Sequence, residues 1–188
     1  MNLSDRHTPR ADRAGLTMLE LMVTMVVLLF AVGGTLGSLS SFVVLGDSAR
    51  ETTVATQAAK DMLEQLRTET FGEVFARYND SAADDPGGVS PGADFAVLGL
   101  DPRRDDADGL CGEILFPVDD AAPTVLREDL DANEFGLPRD LDGDQVTDAN
   151  DRSGDYQLLP VVVRIRWRGA SGNRQLQLAT VLRNGGAQ

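Results

Sequence analysis

One apolar segment, residues 16–45, constrains the fold of this 188-residue chain more than any other feature. It has about the length that a helix needs to span the hydrocarbon core of a bilayer. Its only charged residue is Glu20. A carboxylate at that depth costs on the order of 3 kcal/mol on insertion scales, so a functional role is its default interpretation. Glu20 is therefore the first candidate site residue.

A short polar segment, residues 1–15, precedes the apolar one and ends in Gly15. It carries three arginines against two aspartates, and no basic cluster directly follows Leu45. This asymmetry predicts a cytoplasmic N-terminus and a periplasmic or extracellular remainder. A secretory signal peptide is cleaved after its apolar region, whereas here the glycine lies before it. An ordinary uncleaved membrane anchor remains the alternative.

The order of basic leader, Gly15, apolar Leu16 and Glu20 resembles the processing signal of type IV pilins and type II secretion pseudopilins. Leu16 stands where phenylalanine or methionine is more usual in that family. The resemblance implies that prepilin peptidase, an inner-membrane enzyme, cleaves after Gly15 and N-methylates Leu16. It also implies that Glu20 meets the first residue of a neighbouring subunit during filament assembly. Charges this deep in lipid persist when they are paired, which agrees with that role.

Residues 46–78 are predicted to continue the apolar segment as an amphipathic helix stem. Apolar residues recur there every four positions, with further apolar residues beside them and charged ones opposite. The stripe consists of Val54, Ala58, Met62 and Leu66, flanked by Ala55, Ala59 and Leu63. A single long helix, half in lipid and half packed on a sheet, is also the architecture that the resemblance implies.

The remaining residues, 79–188, are predicted to form a globular head. Residues 79–108 are rich in Asp, Gly and Pro and predict a loop, with a short strand near residues 95–98. Strands are predicted at 113–118, 161–167 and 175–182, where apolar residues alternate or cluster. The last two form a terminal hairpin, 160–183, whose loop is expected to be longer than two residues.

The fold class that follows is α+β and pilin-like, with one long N-terminal helix packed on a small antiparallel C-terminal sheet. The terminal hairpin also loosely resembles minor pseudopilins and the minor pilins called type IV pilus modification proteins. Cys111 is the only cysteine, so the head cannot form an internal disulfide. We expect a buried, inert thiol.

A second group of chemically suggestive side chains lies in the acidic loop, residues 140–151. Acidic residues occupy loop positions one, three, five, nine and twelve, and position seven could lend its backbone carbonyl. Ca²⁺ takes six to eight oxygen ligands, which a curled loop supplies from alternate residues. The loop resembles the calcium loops of EF-hands and dockerins, so Ca²⁺ is the predicted cofactor. The predicted ligands are Asp140, Asp142, Asp144, Val146, Asp148 and Asp151.

The loop departs from the EF-hand pattern at two positions. Gln145 replaces the usual glycine at position six, and Asp151 replaces the usual glutamate at position twelve. No helix pattern follows, so a bare calcium-clipped loop is predicted, whose shell could be completed by Asp155, Asp131 or Asn133. The alternative is a solvated acidic turn, since Asp and Asn favour tight bends.

Composition argues against several functions. Nucleic-acid binding calls for a basic face, and the net charge of −13 argues against it. The one histidine, His7, lies in the predicted leader, so the mature chain has no histidine for a catalytic triad or a zinc site. We therefore expect no enzyme.

The leading hypothesis is a structural subunit, minor pilin or pseudopilin, of a type IV pilus or type II secretion filament. Its partners would be prepilin peptidase, other pilin subunits and the inner membrane. It would be made as a single-pass inner-membrane protein and move to the pilus or pseudopilus. Two alternatives remain: a calcium-stabilised adhesin head at a filament tip, and a membrane-anchored periplasmic domain that never polymerises.

Overall fold

The computed structural model describes residues 17–119 and 121–185. The chain divides into two compact units, Met1–Val43 and Val44–Gln188, and each is described by itself. The predicted leader, including Gly15, and the predicted new N-terminus Leu16 lie outside the described residues.

Helix α1, Met18–Thr68, begins in the first unit and ends in the second. In the first unit its large apolar side chains are all exposed. By length and composition the helix can cross a membrane, as a membrane anchor or a signal sequence would. Its hydroxyls bond within the helix, Thr24 donating to the Glu20 carbonyl and Thr35 to the Ala31 carbonyl. Such hydroxyls need no outside partner in lipid.

The second unit corrects the predicted stem over residues 46–78. Helix α1 ends at Thr68, and a separate helix α2 covers Phe71–Tyr78. The break turns α2 back onto the core, where Val74, Phe75 and Tyr78 are buried. The Tyr156 hydroxyl fixes the start of α2 by donating to the Phe71 carbonyl at 2.6 Å. A continuous helix would have carried these aromatic side chains away from the sheet.

Six strands follow in the described residues of the second unit. They are β1 Asp94–Phe95, β2 Gly112–Leu115, β3 Val118–Asp119, β4 Ala122–Leu126, β5 Leu158–Gly169 and β6 Gly172–Arg183. Four of them form an antiparallel sheet in the order β1-β2-β5-β6, and β3 pairs with β4. Two short 3₁₀ turns, Pro86–Gly88 and Asn133–Phe135, lie in the connections. The structure thus divides the predicted strand 113–118 between β2 and β3.

The terminal hairpin is longer and tighter than predicted. Gly169 pairs with Gly172, so the loop contains only Ala170 and Ser171, and the expectation of a longer loop was wrong. Gly172 takes φ +116°, a backbone conformation that residues with a side chain rarely adopt. A Cβ on Gly169 would collide with the Glu51 carboxylate.

The core lies between α1 and one face of the sheet. Its helix side is built by Ala55, Ala59, Leu63 and Leu66, while the predicted stripe members Val54, Ala58 and Met62 are only partly buried. Its sheet side is the predicted face of β5, namely Val161, Val163, Ile165 and Trp167, all at most 2% exposed. The predicted α+β class, a long N-terminal helix on a small antiparallel sheet, is confirmed.

Candidate functional site

Glu20 occupies the first turn of α1, and its side chain is exposed. The Glu20 amide donates to the Thr17 hydroxyl at 3.3 Å, just before the helix begins. Thr17 and Glu20 have the Thr-x-x-Glu spacing of a helix capping box. A carboxylate in the first turn also interacts favourably with the helix dipole. Glu20 therefore has a local role in starting the helix, besides the assembly role predicted for it.

The acidic loop is organised around one guanidinium, that of Arg152. Its side chain is 10% exposed and reaches the Asp142 carboxylate at 2.7 Å. It also contacts Asp148 at 3.2 Å and Asp144 at 3.4 Å. Burial opposes the charge of Arg152, but its hydrogen bond to Glu128 and the nearby carboxylates raise its pKa above the ordinary value. The loop thus contains a cation supplied by the chain itself.

Glu128 is the other buried charged residue beside Arg152, and sequence reasoning missed it. Its side chain is completely buried, and its Oε1 lies 3.2 Å from Arg152 Nε. The same carboxylate accepts hydrogen bonds from the amides of Leu141 at 2.8 Å and Asp148 at 3.3 Å. Glu128 therefore fastens both ends of the acidic loop to the segment after β4. In the sequence Glu128 lies between two charged residues, Arg127 and Asp129, and no hydrophobic pattern there predicts that it is buried.

Backbone amides occupy most of the other carboxylate oxygens of the loop. Asp140 accepts from the amides of Gly143 at 2.6 Å and Gln145 at 2.8 Å, and these bonds lower its pKa. Gln145 takes φ +68°, the awkward backbone angle expected where a glycine is usual. Asp142 and Asp144 each accept from the amide two residues later. This series of Asx turns curls the loop.

The predicted calcium ligands are brought together only in part. Asp140 and Asp142 group with Glu128, with one ligand oxygen from each lying within 4.8 Å of the others. Asp151 instead accepts from the Leu126 amide at 3.2 Å. Of the residues suggested to complete the shell, Asp155 lies 3.7 Å from Arg152. Three carboxylates suit Ca²⁺ chemically, and two of them, Glu128 and Asp142, already form ion pairs with Arg152.

Cys111 is buried, as predicted, and its thiol lies 3.7 Å from the Leu100 carbonyl. Burial and the neighbouring aspartates raise its pKa, so the reactive thiolate is disfavoured. The thiol is therefore a packing group of the core.

Comparisons of the chain with protein-family models, with curated proteins and with solved structures found no match.

Proposed function

We propose that the chain is a minor pilin or pseudopilin, a structural subunit of a type IV pilus or type II secretion filament. The observation that carries the proposal is α1, whose apolar N-terminal part is fully exposed and whose later part packs on an antiparallel sheet. Such a helix needs a second apolar environment besides the core. Lipid supplies that environment before assembly, and the helices of neighbouring subunits supply it afterwards.

Glu20 gives the assembly step its specificity. Cleavage after Gly15 creates an ammonium on Leu16, and this charge lies in the same apolar layer as the Glu20 carboxylate. Within the described residues Glu20 has no ion-pair partner. Pairing it with the ammonium of a neighbouring subunit removes two unpaired charges from lipid, so docking is favoured in one register. Prepilin peptidase and other pilin subunits are the partners that this step requires.

The proposed localisation follows from the same segment. The arginine-rich leader stays in the cytoplasm, α1 anchors the chain in the inner membrane, and the head is periplasmic until assembly. The head is proposed to be structural and not catalytic. A tip adhesin and a non-polymerising anchored domain are the alternatives. The adhesin needs Glu20 for its assembly into the filament, whereas the anchored domain does not.

Three variants test the proposal in cells that carry the filament system. Gly15→Leu is expected to leave the leader attached, as read by intact mass and by N-terminal methylation. Glu20→Gln is expected to be cleaved normally but to enter sheared filaments about a hundredfold less, since one buried charge pair is lost. Asp47→Asn, which removes a carboxylate beyond the apolar segment, is the matched control. Wild-type protein that keeps its leader, or Glu20→Gln protein that assembles like wild type, contradicts the proposal.

Calcium in the acidic loop stays a prediction. Glu128, Asp140 and Asp142 are the residues that would hold the ion, and its role would be to fix the loop before β5. An ion at 100 times its dissociation constant adds about 2.7 kcal/mol to the free energy of unfolding. Melting the full chain in detergent, with Ca²⁺ and then with chelator, measures this. Equal melting temperatures would contradict calcium and favour Arg152 as the only cation of the loop.

A further inference from the structure

The two edges of the four-stranded sheet differ in charge. The sheet ends on one side with β6 and on the other with β1. From Gln157 to Gln188, which includes β5 and β6, the sequence has five arginines and no acidic residue. Residues 79–108, the loops around β1, have eight aspartates and two arginines. The head therefore has a basic edge at β6 and an acidic edge at β1.

The basic edge is open along its length. Strand β6 has twelve residues, and in the described part of the chain only β5 pairs with it. In an antiparallel ladder every second residue points its amide and carbonyl away from the partner strand, so β6 presents a row of free backbone groups. Ala179 is exposed in the middle of this strand. Natural proteins usually shield such an edge, and here the described residues provide no proline or bulge that would do so.

Two arginines give this edge its excess charge. Arg164, Arg166 and Arg168 of β5 are paired with acidic residues of the same head. Arg174 contacts Ser48, and Arg183 is exposed. Neither of these two makes an ion pair with a described residue. Their charge is available to a partner.

The acidic edge has an excess of negative charge. A cleft of about 440 Å³ beside β1 is lined by apolar residues, four acidic side chains and one arginine, Arg166, which is paired with Glu113 at 3.3 Å. The acidic members are Asp80, Asp94, Asp108 and Glu113. Burial and these neighbouring carboxylates raise the pKa of Asp94 to about 6, which reports uncompensated negative charge. Asp80 is exposed and makes no ion pair with a described residue.

We propose that the heads of neighbouring copies associate edge to edge, the basic β6 edge of one copy meeting the acidic β1 edge of the next. This inference rests on the proposed filament function and names the surfaces that its heads use. Because the two surfaces differ, the contact is head-to-tail and extends into a ring or an open polymer instead of closing as a two-fold dimer. The net charge of −13 does not prevent it, since charges beyond about 8 Å are screened at physiological salt. Strand β1 has only two residues, so charge contributes more than backbone pairing.

Cysteine cross-linking of the full chain in liposomes tests this arrangement. The background is Cys111→Ala, and cysteines are placed at two exposed alanines, Ala96 after β1 and Ala179 in β6. With a short bis-maleimide, the double variant is expected to give a ladder of dimers, trimers and larger species. Each single variant is expected to stay monomeric. Pairing Ala179→Cys with Val146→Cys, in the acidic loop, is the matched control.

A charge exchange tests the cause of the contact. Arg183→Glu is expected to reduce the cross-linked ladder about fivefold at physiological salt, the size of one exposed ion pair. Asp80→Arg should have the same effect, and the two changes together should restore the ladder.

A dimer from Ala179→Cys alone would indicate two-fold pairing of β6 edges and overturn the proposal. The proposal would also be overturned if the double variant gave no ladder, or if the control pair with Val146→Cys gave an equal one. If the chain is cleaved and enters filaments yet gives no ladder, only the edge contact fails and the proposed function stands.

Discussion

Removing the buried carboxylate of Glu128 is the sharpest test of how the acidic loop is held. In Glu128→Ala, Arg152 loses the only carboxylate around it that is fully buried. It keeps four other carboxylate neighbours, namely Asp142, Asp144, Asp148 and Asp155. The amides of Leu141 and Asp148 lose their acceptor as well. Breaking a buried charge pair costs about 3–5 kcal/mol. Because four carboxylates still face Arg152, we expect the lower end, about 3 kcal/mol.

That loss is large beside the total stability of a domain, about 5–15 kcal/mol. For a head of this size it corresponds to a fall of roughly 6–12 °C in melting temperature. The chain has one tryptophan, Trp167, which is 2% exposed and reports unfolding by its fluorescence. The measurement is a thermal melt of the full chain in detergent at neutral pH.

Two further variants separate charge from shape. Glu128→Gln keeps the volume but places an amide NH₂ among donors, so we expect a loss of about 2 kcal/mol. Glu134→Gln, which removes the charge of a half-exposed residue 3.4 Å from Arg164, should change stability by less than about 0.5 kcal/mol. A Glu128→Ala melt within about 1 kcal/mol of wild type would refute the idea that this carboxylate anchors the loop.

Two other predictions concern the region of β1. Asp94 has a folded pKa of about 6, above its ordinary value of 3.8, so its contribution to stability is full below pH 3.8 and is lost as pH rises to about 6. The melting temperature of wild type relative to Asp94→Asn should therefore be higher at pH 4 than at pH 7; a difference that does not vary with pH would contradict this. Gly112→Ala places a Cβ against the Phe95 ring and should cost about 1–3 kcal/mol in a thermal melt, whereas Gly154→Ala, with open space around it, should cost little. Equal losses in the two glycine variants would show that the ring yields freely.

The sequence predicts the helix and the sheet well because each follows a simple period. The alternation in β5 identifies the residues that the structure buries, from Val161 to Trp167. The stripe on α1 is displaced by one position, since Ala55 and Ala59 are buried more deeply than Val54 and Ala58. Small residues let the helix approach the sheet closely, and a hydrophobicity pattern ranks them below valine and methionine.

Errors arise where tertiary contacts decide the local structure. The end of α1 at Thr68 has no proline or glycine to mark it, and the start of α2 is fixed by Tyr156, distant in the sequence. The two-residue turn follows from Gly169 pairing with Gly172, which leaves only Ala170 and Ser171 unpaired. Neither of those residues has a strong preference for such a turn.

The acidic loop shows most clearly what spacing can and cannot reveal. Regularly spaced aspartates predict a curled loop around a positive charge, and the described loop is curled in this way. Spacing does not identify the cation, because an arginine at the end of the loop and a bound metal satisfy the same carboxylates. Arg152 follows the loop directly in sequence, so a cation from the chain was available to the same reasoning. An acidic loop flanked by a single arginine should therefore be tested for a metal-free arrangement before calcium is assigned to it.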